Sequence, residues 1–461
     1  MKEKKEKKKR FGFFSRKKTD DATLQGKADI ETVEEAVEEP IEEVKPEDEV
    51  KEFFIEPELE DVDYYEFIET ESKKMENHKA RVAGSWGEKR AARMIRDDSI
   101  KLLGIPSRME PFYSRSFKGR PCFMLLGIVY AICFALFLTS FAAGIYGYVS
   151  AAVSLAGIII ATAFLVSLYI GRTFAQKLLK KTTSYNVVST IKAKSECKRN
   201  IIISTNYDSK YGNNFKISDK TRFWLIAASL ISIAVFALLV FIRLIVGVDS
   251  VAAKASLIVL SCVFAIPSIL ILILTFSLSK NKVEENNGLS TSVALAVVRY
   301  LIDEDMIKKD TAVTFVAFGG ENAGHDGANA FVKQHKDTPM FENATFINME
   351  DIVERKYFVA TTDAVHKHDF DSSLIDLAKD VAKDLEIEIK EEGKNFGALS
   401  GYAATAFERA GVPGVTLVAR DKNPFREITV EDGDISDVTQ NCFKLLVGIT
   451  EKLLEDEIEK G

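Results

Sequence analysis

Residues Thr311-Ala-Val-Thr-Phe-Val-Ala-Phe318 run straight into Gly319-Gly-Glu321-Asn-Ala-Gly-His325-Asp-Gly-Ala-Asn-Ala-Phe-Val332, and Thr345-Phe-Ile-Asn-Met-Glu350-Asp351 follows. A run of β-branched and aromatic residues that stops at paired glycines predicts a strand, and the pattern over 324–334 predicts a helix after it. Glu321 is then delivered at the carboxyl end of a strand, where α/β sheets keep their ligands.

Outward from this stretch the same alternation continues. Helices are predicted over 290–302, 373–385, 397–410 and 436–457, with strands over 346–349, 386–390 and 414–419. Upstream, Tyr185–Ile191 and Asn200–Thr205 read as two further strands separated by a polar turn. Arg81-Val-Ala-Gly-Ser-Trp-Gly-Glu88 leads into an amphipathic helix, with Ser85 as its cap and Gly104 and Pro106 beyond its end. The expected fold class is α/β: a mixed sheet flanked by helices, interrupted by two transmembrane helical hairpins.

The interruptions are four apolar runs, Cys122–Ala143, Val149–Ile170, Phe223–Val246 and Val251–Leu278. Each has the length a helix needs to cross a hydrocarbon core. Pro267 lies inside the fourth, where neighbouring helices can satisfy the carbonyl it frees. Lys118, Arg120, Arg172, Lys177, Lys180, Lys181, Lys216, Lys220, Arg222, Lys280 and Lys282 border the runs on one side, and the two hairpin turns carry no lysine or arginine. The positive-inside rule therefore places the N-terminus and the soluble domain in the cytoplasm. Arg243 and Lys254, near the far ends, are expected to snorkel outward, and spans without a buried acid argue against a transporter.

Across the whole chain of 461 residues the net charge of -7 averages a basic head and an acidic stretch. The expected organisation is a basic tail (1–18), an acidic disordered linker (19–75), a first soluble segment (76–116), hairpin one (117–172), a second soluble segment (173–222), hairpin two (223–279) and the main soluble segment (280–461). The head interleaves lysines with Phe11, Phe13 and Phe14, which suits either an anionic lipid surface or a solvated tail; it has no secretory-signal pattern, and nucleic-acid binding is not expected. The five cysteines follow no disulfide or CxxC spacing, which fits a reducing compartment.

The soluble pieces, taken in order, resemble the M28 family of zinc peptidases, typified by aminopeptidases. The resemblance is carried by Gly84-Ser-x-Gly-Glu-x-x-Ala-Ala92, Ile201-Ile-Ile-Ser-Thr-Asn-Tyr-Asp-Ser209, Asn286-Asn-Gly-Leu-Ser-Thr-Ser-Val-Ala-Leu295, Phe318-Gly-Gly-Glu-Asn-Ala-Gly324, Ile347-Asn-Met-Glu350 and Gly411-Val-Pro-Gly-Val415. It implies a pocket for two zinc ions held by a His, a bridging Asp, a Glu, a second Asp and a second His, with another Glu as general base on metal-bound water.

Position by position, this sequence departs from that set. The first His falls on Asn206, with the orienting acid kept as Asp208; the bridging Asp falls on Asn286 or Asn287. The paired acids fall on Glu321 and Asn322, so the general base survives and the metal carboxylate does not. The second Asp falls on Glu350, or on Asp351, and the second His falls nearest Arg426. An amide keeps the shape but not the charge that zinc needs, and a guanidinium brings fixed positive charge. Arg426 is expected to pair with Glu321 or Glu350 in the vacated pocket.

No resident cofactor is expected, with zinc reserved for a surviving peptidase. Ser290, Thr291 and Ser292 read as a helix start, not a nucleophile, because no histidine partners them. His366 and His368 read as solvated, and His325 as exposed or at a helix start. The expected function is a membrane-anchored, catalytically degenerate M28-like protein whose domain takes a peptide or protein partner, including one with a free α-amino group. The alternatives are an active membrane-bound metallo-aminopeptidase or related hydrolase with atypical ligands, in which Glu321 is the base and Glu350 a ligand, and a membrane assembly factor acting through its hairpins.

Overall fold

The computed structural model describes residues 63–77, 81–114, 119–141, 144–169, 181–209, 211–213, 219–246, 250–275, 278–283, 288–321, 325–352, 356–363, 368–392, 402–419 and 432–455. The expected basic tail lies outside these residues, as do Asn286, Asn287, Asn322, His366 and Arg426.

The strands are, in chain order, β1 (Ser107–Ser114), β2 (Thr182–Ile191), β3 (Arg199–Asn206), β4 (Tyr211–Asn213), β5 (Leu278–Val283), β6 (Thr311–Phe318), β7 (Ala344–Ile352), β8 (Tyr357–Ala360), β9 (Thr362–Asp363), β10 (His368–Asp369), β11 (Ile389–Glu392) and β12 (Gly414–Ala419). One 8-stranded sheet has the order β1-β2-β6-β3-β7-β12-β8-β11. Its centre, β6, β3, β7 and β12, is parallel, and β2 and β8 join it antiparallel on either side. Strands from before the first hairpin, between the hairpins and after the second therefore share one sheet. Every residue of β6 is buried, as a parallel strand covered on both faces must be. Each fully enclosed Val or Phe there contributes roughly 1.5–3 kcal/mol by leaving water.

The helices are α1 (Tyr64–Asn77), α2 (Trp86–Leu103), α3 (Gly119–Thr139), α4 (Ile145–Tyr169), α5 (Asp219–Ile245), α6 (Val251–Thr275), α7 (Gly288–Asp303), α8 (Asp326–His335), α9 (Ser372–Asp384), α10 (Ala404–Glu408) and α11 (Asp432–Glu455). In the soluble domain, α2, α7, α11 and α9 pack in succession, and α8 pairs with α10. Ser85 caps α2 by accepting from Glu88 N, and Gly104 closes it in the left-handed conformation, as its sequence predicts.

The order begins earlier than expected. Residues 64–75, assigned to the acidic linker, belong to α1, which lies on α7 and sinks Ile68 and Met75 into the core. The helix is acidic overall, so composition hides a narrow apolar stripe that becomes legible only once α7 supplies its partner.

Helices α3, α4, α5 and α6 form a separate bundle around Tyr130, Phe137, Ile158, Phe236, Val240 and Ala265. Its outward surface is also apolar, with Ile128, Ile132, Ile160, Ile231, Val259 and Val263 exposed. Helices apolar on both inner and outer faces suit lipid, not water. By length and composition three of them, over Ile145–Val166, Ala227–Ile245 and Val251–Leu270, can cross a membrane, and α3 contributes the shorter apolar stretch Leu125–Thr139. Pro267 sits inside α6 without ending it.

Arg243 does not snorkel outward as expected. It is buried, donates to Ser140 O at 2.6 Å and lies 5.4 Å and 5.2 Å from the ring centres of Phe141 and Tyr148. The guanidinium reaches a helix-terminal carbonyl and two aromatic faces, and so joins the two hairpins, while its Nε is buried without a partner.

Candidate functional site

The site lies at the carboxyl edge of the parallel strands, where β3 ends at Asn206, β6 at Phe318 and β7 at Ile352. After β6 the chain reverses through Gly319 and Gly320, the latter at φ 64, a conformation that favours glycine. The start of α8 then approaches so closely that a Cβ on Gly327 would lie 2.2 Å from Gly319 O. Asn186 of β2 staples this turn, accepting from Gly319 N at 3.3 Å and donating to Gly327 O at 3.0 Å.

Glu321 emerges from this turn fully enclosed. One carboxylate oxygen accepts from Ala328 N at 2.7 Å, satisfying an otherwise orphaned donor at the start of α8. The other is 2.6 Å from His325 Nδ1. His325 is therefore neither exposed nor merely a helix start: it occupies the cap position of α8 at φ 57, is 4 % exposed, and turns its ring back onto the acid. Burial pulls the imidazole down, but the hydrogen bond to Glu321 and the charges of Glu321, Glu350 and Asp363 outweigh it and raise it to about 9. The fold thus favours the protonated imidazole beside the enclosed acid.

The second cluster is built by β3 and β7. Asn206 Nδ2 donates to Glu350 Oε2 at 2.6 Å, Asn348 Nδ2 reaches the same oxygen at 3.3 Å, and Ser204 Oγ donates to Asn348 Oδ1 at 2.9 Å. Asn206 Oδ1 is buried without a hydrogen-bond partner. Asp351 sits at φ 50 where the register of β7 against β12 shifts, so the strand end bulges there. The structure thus brings together Asn206 and Glu350, and sets Glu321 close enough to share His325 with their field. Asp208 is buried and faces Glu88, whose carboxyl it helps raise.

Three residues of this edge carried no role in the sequence reading. Glu88, in the capping motif of α2, is buried, accepts from Gly84 N at 2.5 Å, from Ser184 and from Gly320 N, and is pushed up to about 8, chiefly by burial. Arg81 is fully enclosed, with Nε donating to Tyr207 O and Nη1 to Met75 O, both at 2.7 Å. Asp363 accepts from Thr405 Oγ1 at 2.6 Å and Tyr402 N at 3.2 Å. Only His325 had a local signal: it stands four residues after Glu321, one helical turn away. His368, expected to be solvated, is half-buried, 2.6 Å from Glu408 Oε2, and pairs with Asp363 across β9 and β10.

The described residues of this edge do not by themselves present a zinc ligand set. Among the described residues no group of three or more His, Cys, Asp or Glu side chains could hold a metal ion. Asn206 turns its N–H toward Glu350, which leaves its carbonyl oxygen as the one atom of that side chain a cation could use. Both oxygens of Glu321 are engaged by protein donors.

Residues 285–434 match the model of Peptidase family M28. No curated protein matches the chain by sequence. Among solved structures, the chain is similar to BSAP, a zinc aminopeptidase from Bacillus subtilis (15% identity, TM-score 0.47, covering 86% of this chain and 96% of that one). It is also similar to the Fimbriiglobus ruber glutaminyl cyclase (9%, 0.48, 87% and 99%) and to a Zn-dependent exopeptidase from Parabacteroides distasonis (8%, 0.45, 85% and 98%).

Proposed function

We propose that this chain is a membrane-anchored M28-like protein whose soluble domain has given up metal-dependent hydrolysis and uses the remaining pocket to bind a peptide or protein partner. The observation that carries the reading is the closure of Glu321 on His325 Nδ1 and Ala328 N. A general base needs a lone pair directed at an activated water, and here both oxygens are committed within the protein. The Asn206 to Glu350 hydrogen bond supports the same reading, since it joins two positions that the family resemblance assigns to metal.

The apolar helices support anchoring, and the lysines and arginines bordering them support a cytoplasmic domain. Among the described residues the site gathers the buried acids Glu321, Glu350, Asp208 and Asp363 beside His325 and Arg81. An acidic setting of this kind suits a partner offering a cation, and a free α-amino group is one.

The test is metal analysis of the purified full chain together with hydrolysis of aminoacyl-p-nitroanilides in added zinc. The expected result is substoichiometric zinc and no turnover above that of Glu321→Gln. Two tightly held ions, with turnover abolished by that substitution, would overturn the reading in favour of a metallo-aminopeptidase.

A further inference from the structure

All four connections between the soluble domain and the bundle leave from one edge of the sheet, and it is the edge that holds the candidate site. Strand β1 runs parallel to β6 through β2, and the pairing of Val187 with Ala317 carries Thr182 and its partner Ser114 past the end of β6. From Ser114 the chain enters α3 at Gly119, and it returns from α4 to β2 at Thr182. The second hairpin departs after Asn206, through β4, and returns through β5 to α7, whose Thr291 Oγ1 bonds Asn206 O at 3.3 Å. The link over 115–118 spans at most roughly 18 Å even when fully extended.

At that edge lies an exposed aromatic and basic patch. Trp86 is 64% exposed and Tyr113 58%. Lys89 Nζ lies 5.7 Å from the ring centres of both Trp86 and Tyr185, and Lys181 Nζ lies 5.6 Å from that of Tyr113. The turn before Trp86 abuts the first residue of β2, because a Cβ on Gly84 would lie 2.3 Å from the Thr182 side chain. The patch therefore surrounds the two points at which the chain passes to and from the first hairpin. Amphipathic rings with lysine ammonium groups over them are the side chains that settle at a headgroup layer. The lysines of the patch, Lys89 and Lys181, complement anionic lipid.

We propose that the soluble domain rests on an anionic lipid surface through Trp86, Lys89, Tyr113 and Lys181, so that the site containing Glu321 and Glu350 faces the bilayer and receives its ligand along the membrane plane. This rests on the membrane-anchored reading above and deepens it. A partner tethered to the same membrane then reaches the pocket, and a free soluble peptide is disfavoured. Tyr113 and the site are joined mechanically, since Ser114 Oγ donates to Asp326 Oδ2 at the start of α8 at 2.9 Å.

The chain has two tryptophans, so Trp224→Phe leaves Trp86 as the only indole. The full chain is reconstituted in phosphatidylcholine vesicles with and without phosphatidylglycerol, using acyl chains brominated near the headgroup. Trp86 emission is expected to fall about twofold or more in brominated anionic vesicles, as for an indole at the interface, and Lys89→Glu with Lys181→Glu is expected to relieve it. In parallel, benzoylphenylalanine at Tyr113 in the otherwise native chain is expected to crosslink to lipid, which keeps the test open should Trp224→Phe fold poorly. Quenching by aqueous iodide alone, with no lipid crosslink, overturns the proposal. Alkaline carbonate extraction separates the two failures: a chain that is washed off sinks the anchoring itself, whereas one that stays while Trp86 remains in water sinks only the docking.

Discussion

His325 Nδ1 stands 2.6 Å from Glu321 Oε2, and both side chains are almost wholly removed from solvent. The charge that a carboxylate would otherwise direct at a metal ion is matched by a proton on an imidazole from its own chain. Removing one partner leaves the other charge buried alone, which typically costs about 3–5 kcal/mol. His325→Gln is therefore expected to lower the thermal midpoint of the soluble domain markedly, and Glu321→Gln added to it to recover part of the loss. Differential scanning calorimetry of the single and double variants measures the coupling.

The same pair sets a pH dependence. The imidazole is raised from an ordinary value near 6.5 to about 9 in the fold. Its stabilisation is complete below the unfolded value and is lost as pH climbs through about 9. Midpoints recorded from pH 6 to pH 10 are expected to decline for the native chain, with a smaller decline for His325→Gln.

Glu88 contributes with a lower window. Its carboxyl is pushed up to about 8, so the fold favours the protonated form and its contribution falls as pH rises from about 4.5 to about 8, by at most roughly 1.4 kcal/mol per pH unit. Glu88→Gln keeps the shape and removes the titration. It is expected to match the native midpoint near pH 5 and exceed it near pH 9.

Asn206→Asp would place a second carboxylate where an amide now donates to Glu350. Two buried acids at hydrogen-bonding distance repel unless they share a proton or a cation. The variant is expected to unfold at lower temperature than the native chain at neutral pH and to regain stability in millimolar zinc or manganese by binding linkage. The native midpoint is expected to stay unmoved by either ion, and equal responses from both proteins would sink this account of the site.

In the bundle, Arg243 donates to the Ser140 carbonyl and lies against the rings of Phe141 and Tyr148. Arg243→Lys keeps the charge but not the planar fork, so it is expected to behave nearly as badly as Arg243→Leu. A loss of about 1.5–3 kcal/mol, the range for a hydrogen bond to a charged group, is expected in detergent unfolding.

Much of this architecture was legible without coordinates. Strand β6, with its unbroken apolar run and paired glycines, and strand β12 over Gly414–Ala419 fell where predicted because strand period and glycine breaks are local signals. Helix α1 did not, because its acidic composition masks the few apolar residues that α7 covers. At the site, the amide at 206 and the acids at 321 and 350 were found by position, but the partner of Glu321 was not. The expected partner Arg426 lies outside the described residues, and among these it is His325 that meets Glu321.

The sequence by itself determined the α/β layering, the long apolar helices and the residue types at 206, 321 and 350, since each is written in residue type, period or run length. Only the tertiary structure decided what fills the acids' hydrogen-bonding capacity, and that the candidate site and the strand ends leading to the apolar helices share one edge of the sheet. Pairing in a low-dielectric interior depends on distance through space, and Asn206 meets Glu350 only because β3 and β7 lie side by side with their carboxyl ends level.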